Sequence, residues 1–167
     1  MEPGAETGRQ LMEEGTFAPI HLAWGEASLR FACAFLLPLA IGLERYFRKK
    51  PIDFRPFVVI SVSACGLSLA GMELAHRAVD PTLAIDPTRI FAGVITGIGF
   101  LGAGAMFREE SYVKGGGSAS AVWAAGVIGI LCGIGFLWLA LLVGLTVLVV
   151  LLVSGPFIDR YDSGSDE

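Results

Sequence analysis

Residues 115–158 form a run of 44 without a single Asp, Glu, Lys or Arg. A helix that crosses a membrane needs about 20 mostly apolar residues, so this run holds two. The rest of the chain agrees with it. Of 167 residues, 54% are hydrophobic and 17% charged, against about 25% charged in a soluble domain. Inside lipid each backbone N–H and C=O must be paired within the chain, and a helix does this locally. The expected fold class is therefore all-α, a polytopic transmembrane helix bundle. The net charge of −4 leaves no basic field for nucleic acid. The composition also argues against a disordered chain or a disulfide scaffold.

Charge-free runs mark five spans, at about 27–43, 57–75, 90–107, 118–132 and 136–154. The first is the weakest. Its charge-free stretch, Phe31–Leu43, covers about 20 Å of a hydrocarbon core about 30 Å thick. Extension back to Ala27 helps if Arg30 snorkels to the interface, and Pro38 predicts a kink. Gly133-Ile134-Gly135 is the break between spans four and five, and Gly155-Pro156 the expected stop of the fifth. Residues 1–26 read as an acidic, flexible tail without a signal-peptide pattern, weakly helical at best around Gln10–Glu14. Residues 156–167 read as a polar C-terminal tail, with no room for a second domain.

Lys and Arg counting sets the orientation. The loop after span one, the loop after span three and the C-terminal tail together hold eight basic residues; the opposite side holds four. This puts the N-terminus outside and the C-terminus in the cytoplasm. A four-span arrangement, with segment one lying in the interface, is the rival.

Twelve of the 22 glycines lie between residues 93 and 135, in and around spans three and four. Span three carries Gly93, Gly97, Gly99, Gly102 and Gly104; Gly93 and Gly97 form a GxxxG pair, as do Gly129 and Gly133 in span four. Small residues let helices approach closely in lipid, so a crowded bundle centre is expected. The other reading is backbone exposed near a cavity, as in transporters. Asp86-Pro87-Thr88-Arg89 reads as an N-cap followed by Pro at the first helical position. Glu73 can pair with His76 or Arg77 on one helix face near the outer interface, or can form an ion or proton site. The loop Glu44-Arg45-Tyr46-Phe47-Arg48-Lys49-Lys50 joins a basic cluster to aromatics, which suits topology setting and contact with anionic lipid. Gly115-Gly116-Gly117-Ser118 lacks the rest of a P-loop and reads as a turn with Ser118 as N-cap. Cys33, Cys65 and Cys132 form no CxxC pair, and His21 and His76 show no zinc spacing. The hydroxyls Ser61, Ser63, Ser68, Thr96, Ser118 and Ser120 have no evident His and Asp partners, so no enzyme, cofactor or metal site is expected.

Three stretches carry a resemblance: Ile41-Gly42-Leu43-Glu44-Arg45, Asp86-Pro87-Thr88-Arg89-Ile90 and Gly97-Ile98-Gly99-Phe100-Leu101-Gly102-Ala103-Gly104. Together with Arg108-Glu109, Val113-Lys114-Gly115 and Trp123-Ala124-Ala125, they resemble the MgtC/SapB family of bacterial inner-membrane proteins over residues 28–154. The resemblance implies four or five spans and no established enzymatic activity. It also implies links to growth in low magnesium, to survival of pathogens in macrophages and, in one member, to inhibition of the ATP synthase. The chain departs from the family pattern at Pro56-Phe57, where Thr-His is expected, at Gly93, where Gln is common, and at Gly116–Ser120, where Thr-Thr opens the span. It also reads as a short form without the soluble C-terminal domain of long members.

Two functions follow. The leading one is a regulatory or interaction membrane protein tied to magnesium, other cation or envelope homeostasis, acting through helix contacts with a membrane protein partner. The second is a small oligomeric cation transporter or channel built around spans three and four. The residues singled out are Glu44, Arg45, Glu73, Asp86, Arg89, Gly93, Gly97, Gly99, Gly102, Gly104, Arg108 and Trp123. The near absence of midplane acidic residues favours the first.

Overall fold

A computed structural model describes residues 22–50, 52–77, 86–109 and 112–162. Five helices carry the chain: α1 (Trp24–Phe47), α2 (Arg55–Arg77), α3 (Pro87–Gly104), α4 (Gly116–Gly133) and α5 (Leu137–Asp162). Between α3 and α4 lies a hairpin of β1 (Phe107–Glu109) and β2 (Tyr112–Lys114), paired antiparallel with Phe107 opposite Lys114. The expectation at Gln10–Glu14 lies outside the described residues.

Packing pairs give the direction of each helix. Gly129 lies against Ser61 and Gly133 against Cys65 and Ser68, so α2 and α4 run parallel. A chain that leaves α2 at one end must return before it can start α4 in the same direction. Helix α3 makes that return, with Gly102 beside Ala119 and Ile98 beside Gly126. Helix α1 runs against α4, since Arg30 reaches Gly133 and Arg45 reaches Gly117. It runs with α5, since Leu37 meets Gly144 and Arg48 meets Leu152. The chain thus makes five alternating passes, and α1 starts at the end opposite to where α5 finishes. Four of these helices are long and apolar enough to cross a membrane: α1, α2, α4 and α5. The Gly-rich α3, with 18 residues, covers about 27 Å and is not among these four.

Helix α4 is the centre of the bundle. Of its residues, 67% are buried, against 17% of the apolar part of α5. Its buried residues are mostly Ala, Gly and Ser. Around it pack Ala34, Ile41, Phe57, Cys65 and Ala140. Lipid gives no hydrophobic drive between helices, so close contact through small residues replaces it. Leu141, Leu142, Leu145, Val149, Val150 and Val153 of α5 are exposed, as suits a helix bathed in acyl chains.

Several boundaries differ from those read in the sequence. Helix α1 has 24 residues, about 36 Å, because Glu44 and Arg45 neutralise each other inside the bundle and do not end the helix. Pro38 lies within it and is buried. Helix α3 ends at Gly104, not at Phe107. Its chain turns at Ala105 so tightly that a Cβ on Gly115 would lie 2.3 Å from the Ala105 carbonyl oxygen. The N-cap of α4 is Gly115, with φ of 92°, and not Ser118, which sits buried in the first turn. Gly155-Pro156 does not stop α5, which continues to Asp162. Proline lacks the N–H that Leu152 O would accept; Arg48 Nη2 donates to that oxygen at 3.0 Å.

The break between α4 and α5 stands where the sequence placed it. Gly135 has φ of 90°. Phe136 N donates to Leu131 O at 2.8 Å and Gly135 N to Cys132 O at 3.1 Å, the paired bonds of a Schellman turn.

Candidate functional site

The residues singled out from sequence fall into three places: the end of the bundle where α1 finishes, the opposite end, and the outer face of α3.

At the first end the helix spacing turns Glu44 and Arg45 inward, and both are buried. Arg45 Nε donates to Glu44 Oε2 at 2.7 Å, and Arg48 Nε approaches Glu44 Oε1 at 2.6 Å. One carboxylate therefore serves two guanidinium groups. Buried charge is tolerated when it is paired in this way. A Cβ on Gly117 would lie 3.3 Å from Arg45 Nη1, so the start of α4 fits around the arginine. Gly42 fits Phe54 still more tightly, with a Cβ placed 2.8 Å from the Phe54 Cα. The basic cluster divides here. Arg45 and Arg48 turn into the bundle, whereas Lys49 is exposed. Asp53, in the following loop, accepts from Arg55 N at 2.9 Å and Arg55 Nε at 2.8 Å. These bonds hold its carboxyl below the usual aspartate range.

At the opposite end Asp86 caps α3. Its Oδ1 accepts from Thr88 N at 2.9 Å and Thr88 Oγ1 at 2.6 Å, with Pro87 at the first helical position. The same bonds lower the Asp86 pKa. Arg89 is exposed, and Glu73 is half-buried near the end of α2. Glu73 and His76 both have interaction partners, and His76 Nδ1 lies 2.8 Å from Met72 O. Arg30 does more than snorkel. Its Nη1 donates to Gly133 O at 2.7 Å, capping the C-terminus of α4, while Nη2 pairs with Glu26. Gly135 makes room for it: a Cβ there would lie 2.6 Å from Nη2. The sequence signal for this role was an arginine inside an apolar segment, combined with a Gly-Ile-Gly break elsewhere.

The glycines of α3 and α4 part company. A Cβ on Gly129 would lie 2.2 Å from the Ser61 carbonyl oxygen, and one on Gly133 2.6 Å from that of Cys65. On α3, Gly102 meets Ala119 O at 3.5 Å, but Gly93, Gly97, Gly99 and Gly104 have nothing within 4 Å. The expectation of a crowded centre thus holds for α4 and fails for most of α3. Gly93, Gly97, Phe100 and Gly104 follow at steps of four, three and four, which puts them on one helix face. Phe100 stands 80% exposed on it. Trp123 is also exposed, on the mostly buried α4. Arg108 pairs through β1 with Val113.

Thr96 and Ser120 donate back to Ala92 O and Gly116 O, each at 2.8 Å. Ser61 Oγ and Ser68 Oγ are buried without a hydrogen-bond partner in the α2–α4 contact. Among the described residues, no three His, Cys, Asp or Glu side chains lie close enough together to hold a metal ion.

The MgtC family model matches residues 31–160, which takes in both charged ends and the open face. An uncharacterized protein of Haemophilus influenzae is 33% identical over 154 residues, covering 90% of this chain and 63% of that protein. Protein SapB of Bacillus subtilis is 36% identical over 110 residues, covering 65% of this chain and 47% of SapB. Protein MgtC of Salmonella typhimurium is 35% identical over 107 residues, covering 64% and 43%. The chain spans about half of the length of these curated relatives. No solved structure matches it. The matched segment, its apolar helices and its shared identity with proteins of both names lead to one assignment: this chain is a membrane protein belonging to the MgtC family.

Proposed function

We propose that the protein is a regulatory or interaction protein of the bacterial inner membrane, linked to magnesium, other cation or envelope homeostasis. It works by docking the open face of α3 on a transmembrane helix of a membrane protein partner. The observation that carries this reading is the contrast between two sets of glycines. On α4, Gly129 and Gly133 face neighbouring backbone and Gly126 the Ile98 side chain; on α3 an added Cβ would meet nothing within 4 Å at four of five. In lipid, a face of small residues gains from a close helix neighbour and little from acyl chains. The end carrying Glu44, Arg45 and Lys49 faces the cytoplasm, since most of the basic residues flank it.

The test is co-purification from native membranes, comparing the wild-type chain with Gly97→Leu. A partner that leaves with the wild-type protein and is lost from a folded Gly97→Leu variant supports the proposal. Recovery of the same complex with both, or of self-associated chain alone, refutes it.

A further inference from the structure

The first turn of α4 starts inside the bundle with no side chain to cap it. Its helix ladder begins with Ala119 N donating to Gly115 O at 2.9 Å. The N–H groups of Gly116, Gly117 and Ser118 therefore have no acceptor within the helix. Gly115 takes φ of 92° and ψ of −4° just before them. A left-handed residue followed by helical ones turns successive amides toward one point, which makes a concavity suited to an anion. There is room beside it: a Cβ on Gly116 would meet nothing within 4 Å, and Gly117 is exposed.

A second group points into the same place. The Arg45 side chain is only 5% exposed, and its Nη1 stands 3.3 Å from where a Cβ on Gly117 would lie. Among the described residues Arg45 bonds through Nε and Nη2, both to Glu44. The two Glu44 oxygens are occupied by these nitrogens and by Arg48 Nε, so Nη1 is left over. A buried guanidinium nitrogen thus faces the positive end of the α4 dipole. An anion between the two gives both sets of N–H groups an acceptor. Ser118, 3% exposed and in the same turn, adds a hydroxyl.

We infer that the first turn of α4 and Arg45 together bind a phosphate group, its oxygens accepting from the amides of Gly116, Gly117 and Ser118 and from Arg45 Nη1. The donors come from two sides, the amides from the turn and the guanidinium from α1. That spread suits the tetrahedral oxygens of a phosphate better than the two coplanar oxygens of a carboxylate. Free phosphate and a phospholipid headgroup both carry this group.

The purified full chain, in neutral detergent, is titrated with inorganic phosphate, with phosphatidylglycerol or with chloride at matched ionic strength while its thermal unfolding is followed. Inorganic phosphate or phosphatidylglycerol should raise the unfolding temperature saturably, by roughly 5–10 °C at a hundredfold excess over Kd. A response to inorganic phosphate assigns a soluble ligand; a response to phosphatidylglycerol alone assigns a headgroup. Arg45→Gln should weaken the response by at least about tenfold. Gly117→Val, which alters no charge but fills the mouth beside Nη1, should abolish it, and Lys49→Gln should keep it. The unfolding temperature without ligand shows which variants fold, and Gly117→Val decides alone if Arg45→Gln does not. Silence with both phosphate sources, an equal rise with chloride, or an unchanged response in Gly117→Val would overturn the inference. None of these outcomes bears on the α3 face, so this test and the co-purification fail separately.

Discussion

Two glycines with the same spacing should respond in opposite ways to the same added methyl. At Gly129 the new Cβ would sit 2.2 Å from the Ser61 carbonyl oxygen and 2.9 Å from the Ser61 C and Cα atoms. Restoring ordinary contact requires α2 and α4 to part by roughly 1 Å. The neighbour is backbone and cannot rotate aside, so the cost lies near the upper end of the about 1–3 kcal/mol typical of overpacking. Alanine returns about 1 kcal/mol in helix propensity, which leaves a net loss of about 2 kcal/mol. At Gly97 nothing lies within 4 Å, so the propensity gain stands alone. For a chain of this size each kcal/mol moves the unfolding temperature by about 2–4 °C. Gly129→Ala should therefore lower it by about 4–8 °C, and Gly97→Ala should leave it unchanged or raise it. The assay is thermal unfolding of monomeric protein in one detergent, read by tryptophan fluorescence. Equal destabilisation at both positions, or a neutral Gly129→Ala, would refute the packing argument.

Three further outcomes follow from the charged and capped ends. Glu44→Gln leaves Arg45 and Arg48 without their shared counter-charge and should cost about 3–5 kcal/mol; Arg45→Met should cost clearly less, since Glu44 keeps Arg48, and chemical unfolding of the pair checks the order. Arg48→Met should lose about 1 kcal/mol of its penalty when Pro156→Ala restores the missing N–H, a coupling measured by a double-mutant cycle. The folded pKa of Asp86 lies below its unfolded value, so its contribution is complete above the unfolded value and is lost as pH falls through the folded one. The stability difference between wild type and Asp86→Ala should hold at neutral pH and shrink below about pH 4; a difference constant down to low pH would contradict the capping role.

Some of this architecture was legible in the sequence because it rests on local chemistry. Gly133-Ile134-Gly135 breaks the 44-residue run since Gly135 takes a left-handed φ that only glycine adopts easily. Asp86-Pro87 caps α3 through atoms two residues apart. What depended on distant residues was hidden. Counting charge-free residues shortened α1, because a charge normally ends a membrane span and here Glu44 is neutralised within the bundle. It also lengthened α3, because Phe107 is apolar but already belongs to the hairpin. Proline at 156 should end a helix, and the arginine that relieves it lies 108 residues earlier in the chain. GxxxG spacing is the same at Gly93/Gly97 and Gly129/Gly133. Tertiary contact alone separates a filled groove from an open face, and so the candidate site was the least legible part.

The central question for the molecule is whether the face of Gly93, Gly97, Phe100 and Gly104 meets another protein in its own membrane. A photo-crosslinking amino acid placed at position 97 and illuminated in intact cells reads this directly, with position 149 on the lipid-exposed side of α5 as control. The account predicts a discrete crosslink to a second membrane protein from position 97 and none from position 149. Labelling of lipid alone from both positions would contradict it.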